Sequence, residues 1–250
     1  MRTTFLCSFA PILLALFACS QTLPTPDEVP CKGAASCNAL GTESLNRGDI
    51  PAAIKLFSAE VGFSEDAQNK AQSLTAYHNL AIAYLRNQDY FRALSWVHLA
   101  LRIDPENKAA KFNLRKIEGH ISDHKWPADI SGLYVRYSGR EQWDSVHLSK
   151  PRGSDLSFHL LAYRMGLAWR RYGPGSYGDV DGTATLVGNH QAVFKDSDFP
   201  TCRITMHFKE DGVSVEQEGD CGFGYGVQAT GAYERICSDD DKECDEKHLP

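Results

Sequence analysis

The stretch Cys202-Arg-Ile-Thr-Met-His-Phe-Lys-Glu-Asp-Gly-Val-Ser-Val-Glu-Gln-Glu-Gly-Asp-Cys221 decides how the C-terminal half of the chain folds. Asp211-Gly212 is a strong two-residue hairpin signal. Folding about it sets Glu210 opposite Val213, Phe208 opposite Val215, Met206 opposite Gln217 and Ile204 opposite Gly219, with Cys202 facing Cys221. Ile204, Met206, Phe208, Val213 and Val215 then share one face, as side-chain alternation requires. Opposed strand residues lie about 4.5–5.5 Å apart, within reach of a disulfide. The spacing therefore predicts a Cys202–Cys221 bond, contributing about 3 kcal/mol in the chain-entropy picture.

The same alternation runs outward from this hairpin. Leu133, Val135 and Tyr137 alternate, as do Leu156, Phe158, Leu160 and Ala162, and Gly188-Asn189 marks a turn between residues 183–187 and 192–194. A further strand is expected over residues 226–236, with Val227, Ala229 and Tyr233. About seven or eight short strands over residues 128–237 predict an antiparallel barrel or sandwich. Gly132-Leu-Tyr134 and Gly231-Ala-Tyr233 suit first and last strands that meet to close a barrel. The segment from Asp181-Gly182 to Glu234-Arg235, with Gln217-Glu-Gly-Asp-Cys-Gly-Phe-Gly224, resembles β-domains of bacterial exported proteins, some of which carry lysozyme-inhibitor labels.

Residues 34–122 read instead as helical. Leu80, Ala83 and Tyr84 recur at helical spacing, then Ala93, Val97, Ala100 and Leu101. Asn87-Gln-Asp89 interrupts the two runs and Asp104-Pro105-Glu-Asn107 ends the second. Tyr77, Leu80, Ala81, Tyr84, Tyr90, Ala93, Ala100 and Pro105 resemble, in order and spacing, a tetratricopeptide repeat. Leu40, Gly41, Gly48, Ile50, Ala53 and Phe57 repeat the theme earlier, with the extra residues expected over 61–70. Residues 108–121 look like a closing helix, with Phe112, Leu114 and Ile117 expected to face inward. Such hairpins need about three or more repeats to bury their apolar faces. This short array is therefore expected to lean on the second domain or on a partner. The fold class is α+β: helical hairpins followed by an antiparallel barrel or sandwich.

Arg2, the apolar run over residues 5–17 and the small residues after it read as a secretory signal over residues 1–18. The run is too short for the ~20 residues a spanning helix needs. Leu16-Phe17-Ala18-Cys19 resembles the lipobox of bacterial lipoproteins, which implies lipid on Cys19; Ser20 after it implies an outer-membrane address, with a soluble periplasmic or secreted protein as the alternative. Pro24, Pro26 and Pro30 mark residues 19–33 as an extended tether. Loss of Arg2 takes the formal charge from −6 to −7, and no basic stripe marks a nucleic-acid binder. With Cys7 lost and Cys19 lipidated, the six cysteines left can all pair, which suits an oxidising compartment. Cys31–Cys37 and Cys237–Cys244 are expected by neighbourhood. Residues 238–250 read as a solvated acidic tail.

Signals for chemistry are sparse. The glycine-rich Cys221-Gly-Phe-Gly-Tyr-Gly226 lacks the Lys-Ser/Thr and helix start of a phosphate loop and reads as a turn. His120 and His124 flank a helix end, Asp179 and Asp181 precede a strand without the features of a calcium loop, and no Gly-x-Ser-x-Gly elbow occurs. No catalytic residue, metal or cofactor is assigned. By the repeat resemblance Asn38, Thr42, Thr75, His78, Asn79, Ile82 and Arg86 would face a bound peptide. No lysine clamp for a free carboxylate is expected, since Ala109 and Phe112 stand where bases would help. Arg170, Arg171, Tyr172 and Tyr177 form a second recognition candidate, a loop rich in the residue types that make binding hot spots. The reading is a non-enzymatic lipoprotein that binds a protein partner in the cell envelope, in envelope assembly or secretion. The alternatives are an inhibitor or immunity protein against a lysozyme or toxin, and an envelope hydrolase.

Overall fold

The computed structural model describes residues 29–126, 129–165, 175–241, 244 and 249–250. Cys19, Arg170, Arg171 and Tyr172 lie outside them. Among the described residues five helices, α1 (Ala34–Asn46), α2 (Ile50–Asp66), α3 (Lys70–Arg86), α4 (Tyr90–Ile103) and α5 (Lys108–Ile121), precede eight strands. Asp or Asn caps four helix starts: the Asp49, Asn69, Asp89 and Asn107 side chains accept from the N–H three residues on at 3.0–3.2 Å. Gly33, before α1, has no capping oxygen; there the Cys31–Cys37 disulfide (Cα–Cα 5.0 Å) ties the entering chain to the first turn. The first three helix-to-helix turns share one design, with a left-handed residue (Gly48, Gln68 or Gln88) directly before the capping Asp or Asn. The insertion sits where the sequence placed it. Counted from the equivalent turns, α2 runs three residues past the end of α4.

The strands are β1 (Gly132–Gly139), β2 (Gln142–Leu148), β3 (Asp155–Arg164), β4 (Ser176–Val187), β5 (Gln191–Lys195), β6 (Arg203–Phe208), β7 (Gly212–Glu218) and β8 (Gly231–Cys237). They close an antiparallel meander barrel in sequence order, β1 pairing with β8. A side chain at Gly132 would run into the Cys237 carbonyl, so a bare backbone is needed where the sheet closes. Val146, Leu148, Leu156, Phe158, Leu160, Ile204, Met206, Phe208 and Val215 fill the interior.

The two halves share a core. The helical cluster continues through Leu80, Trp96 and Val97 to Leu133, Val135, Trp143 and Ile236 on the outside of the barrel. Trp96 meets Tyr77, Tyr137 and Trp143 at centroid distances of 5.5, 5.6 and 5.2 Å. The expectation that the short array leans on the second domain holds. Glu65 locks the seam, accepting from Tyr77 Oη, Tyr137 Oη (2.6 Å) and Arg140 N. Arg140 and Glu141 turn β1 into β2 with φ of 52° and 68°. Left-handed backbone at two non-glycine residues is costly, and the Arg140 contacts with Glu65 and Asp66 hold that turn against α2.

Several expectations need correction. The hairpin register is two residues off: Phe208 lies opposite Val213, Met206 opposite Val215 and Ile204 opposite Gln217, and Glu210-Asp211 make the turn. Gly212 belongs to β7, where a Cβ would stand 2.5 Å from the Tyr233 carbonyl. A shift of two preserves every face, so the apolar side was right. The Cys202–Cys221 bond forms (Cα–Cα 4.7 Å) because Gly219, at φ 72°, bends the chain back beyond the strand. Phe112 is 50% exposed, since α5 turns Ala110, Asn113 and Ile117 inward. The last strand starts only at Gly231, and Asp179 and Asp181 lie within β4 rather than before it. Residues 238–241 are not free: Asp239 and Asp240 pair with His147 (2.8 Å) and Lys150 (2.7 Å), and Cys237–Cys244 closes as expected.

Candidate functional site

The inner side of the array is built by α3 and α5. Ile82, Leu85 and Arg86 face Phe112, Lys116 and His120 across an open groove of ≈ 440 Å³. The Lys116 ammonium lies 4.8 Å from the centre of the Phe112 ring. An apolar floor with three basic groups on its rim can take an amphipathic segment that carries acidic residues.

The other groove candidates divide by what already holds them. Asn38 and Asn79 donate to the two carboxylate oxygens of Glu60 at 2.8 and 3.0 Å, joining α1 and α3 to α2. Burial raises the Glu60 pKa, while the two amides pull it down. The His78 Nε2 lies 2.9 Å from Asn107 Oδ1, the atom that also caps α5. Its Nδ1 is buried without a partner, and burial lowers its pKa despite the Asn107 bond, which favours the neutral ring. Thr75 bonds its own helix, Thr42 is exposed, and Arg86 also donates to the Leu45 carbonyl at 3.0 Å. Ile82 and Arg86 therefore line the groove, and Asn38, Asn79 and His78 brace the helices behind it. Glu60 gave no sequence signal, because an acid amid apolar helix residues shows its purpose only when three helices meet.

At one end of the barrel, Tyr177 sits in β4 and not in a loop, 58% exposed. The Gly222–Gly226 turn folds onto it: Gly224 N donates to the Tyr177 carbonyl at 3.0 Å. Tyr225 beside it is 84% exposed, with the Arg164 guanidinium 5.2 Å from its ring. The glycine-rich stretch is a turn, as its missing helix start implied.

One further grouping escaped the sequence reading. His159 on β3 lies directly opposite Asp181 on β4, and their ligand atoms and that of Asp179 all fall within 4.8 Å. All three sit on the partly or fully exposed outer face, where such groups are common without an ion. Strand pairing, not spacing along the chain, makes the grouping, so no local motif could have shown it.

Residues 74–107 match the family model of the tetratricopeptide repeat, a stretch that takes in most of α3 and all of α4. No curated protein and no solved structure matches the chain. Among the described residues no helix is long and apolar enough to cross a membrane.

Proposed function

We propose that this chain is a non-enzymatic, lipid-anchored outer-membrane protein facing the periplasm, which holds a protein partner in its helical groove during envelope assembly or secretion. A tetratricopeptide repeat at residues 74–107 indicates protein–protein interaction. The observation that carries the site is the α3–α5 groove with Phe112 turned outward at its edge. A large ring left half in water, on a helix whose other large apolar residues Leu114, Ile117 and Ile121 are partly or fully buried, favours a contact surface. The leader, the Cys19 motif and the cysteine arithmetic support the address.

The test is cross-linking and recovery of a partner from cells with the full chain and with Phe112→Ala plus Lys116→Glu. Loss of the partner with an unchanged melting temperature is the expected result; equal recovery would retire the groove. Mass spectrometry of the mature chain reads acylation at Cys19 directly. An unmodified Cys19 would remove the anchor from the proposal.

The exposed Tyr177, Tyr225 and Arg164 support a second reading, an inhibitor of a lysozyme or toxin that acts through this end of the barrel. Lysozyme turbidity assays with the full chain, and with Tyr177→Ala plus Tyr225→Ala, separate the two readings. Unaltered lysis in the presence of the native chain retires the lysozyme version.

A further inference from the structure

At the other end of the barrel an open crevice of ≈ 580 Å³ lies between the linker after α5, the start of β1 and the turns around His190 and Lys209. That volume lies within the range of small-molecule sites, which often occupy barrel mouths. Trp126, Tyr134 and Phe208 form its apolar wall, and Lys125, His190 and Lys209 stand exposed at its edge.

Arg235 is the unusual member of this lining. It is 5% exposed, with its guanidinium carbon 4.7 Å from the Trp126 ring centre and 5.7 Å from that of Tyr134. Its Nη atoms donate to the carbonyls of Asp129 and Ser131, and its Nε is buried without a partner. No carboxylate among the described residues forms an ion pair with it. Asp129, a nearby acid, spends Oδ1 on the N–H (3.0 Å) and hydroxyl (2.5 Å) of Ser131. Glu210 also lines the crevice and is exposed. A buried cation without a paired anion is costly. With the three cations Lys125, Lys209 and Arg235 against the two acids Asp129 and Glu210 around the crevice, an incoming anion is favoured by charge.

We propose that this crevice binds a small organic carboxylate with an aromatic or branched apolar body. The carboxylate lies against Arg235 and the Lys125 and Lys209 ammonium groups, and the body packs on Trp126, Tyr134 and Phe208. The site lies apart from the helical groove, so the proposal is independent of the partner reading above. Carboxylate recognition here is a matter of charge and shape, with no covalent step.

The test is calorimetry on the full chain with phenylacetate and with its neutral isostere phenylacetamide. Phenylacetate should bind at ~1 mM or tighter and the amide at least about tenfold more weakly. Lys125→Glu plus Lys209→Glu, both at exposed positions, should weaken phenylacetate about tenfold or more with the melting temperature kept. Arg235→Gln should abolish binding; circular dichroism shows whether it folds, and the double lysine variant decides the matter if it does not. Equal affinity for acid and amide, or unchanged affinity in the folded lysine variant, would overturn the proposal. Tenfold tighter binding of N-acetylglycylphenylalanine than of phenylacetate would overturn the small-acid assignment in favour of a chain terminus.

Discussion

The helical array and the barrel solve the burial problem in opposite ways. The barrel closes on itself: β1 pairs with β8 and its apolar side chains face a common interior. The array is open at its ends, and its core is completed by the outer faces of β1, β2 and β8, with Cys244 and Leu249 packed beside them. A stack of two hairpins and one helix buries too little by itself, and the barrel's Trp143, Leu133 and Val135 act as the missing repeat. The barrel is therefore the scaffold and the array its dependent. The α3–α5 groove is lined by helix residues, with no described barrel residue among them.

The dependence of the array on the barrel rests most heavily on the seam. Trp96→Ala removes a 1%-exposed side chain that touches aromatic residues of both halves. It should cost about 3–5 kcal/mol, and limited proteolysis should cut residues 34–121 before it cuts the barrel. Simultaneous loss of both halves would mean one cooperative unit.

The barrel has its own test. Replacing Cys202 and Cys221 by Ala should cost about 3 kcal/mol, read as earlier denaturant unfolding of strand signals with the helical signal following. On the array side, a Cβ at Gly41 would stand 2.5 Å from the Phe57 ring. Gly41→Ala should cost about 1–3 kcal/mol, visible as a lowered helical melting temperature with the barrel unchanged.

The smallest effect is in pH. Burial tends to lower the His98 pKa, but the Glu234 carboxylate at 2.9 Å across the seam raises it overall. The folded state therefore holds that proton more tightly. The stability it adds is full below about pH 6.5 and is lost as pH rises through the raised folded value. His78, inside the array, is shifted down, so its contribution is lost as pH falls below about 6.5. His98→Gln should flatten the alkaline side of the melting profile and His78→Gln the acid side, each by less than about 1 kcal/mol. Identical profiles would place neither ring in a coupled site.

Much of the fold was legible where local rules act alone. The α3–α4 hairpin announced itself through Ala81, Ala93 and the break at Asn87-Gln-Asp89, and β3 through Leu156, Phe158, Leu160 and Ala162. β2 was missed for a physical reason. Trp143 packs on the helices while Val146 and Leu148 face the barrel interior. Asp144 is also fully buried, bonded to Arg136 Nε and Tyr163 N at 2.8 and 2.7 Å. A strand buried on both faces shows no polar–apolar alternation.

Of the candidate site, Ile82 and Arg86 line the α3–α5 groove, and Phe112, expected to face inward, stands half exposed at its edge. Helical period locates a stripe, but with Phe112, Leu114 and Ile117 at loose spacing the sequence permits more than one rotation. Contact with α4 and α3 selects Ala110, Asn113 and Ile117.

Sequence alone settled the identity of the elements other than β2, the apolar face of the Cys202–Cys221 hairpin and its crosslink, since these follow from period, turn chemistry and proximity along the chain. Tertiary structure decided the closure of the barrel, the two-residue register set by Gly219 and Gly212, the Glu60 clamp and the buried Arg235. Each of these depends on groups far apart in the chain meeting in space, and the free energy of such meetings is written in no local pattern.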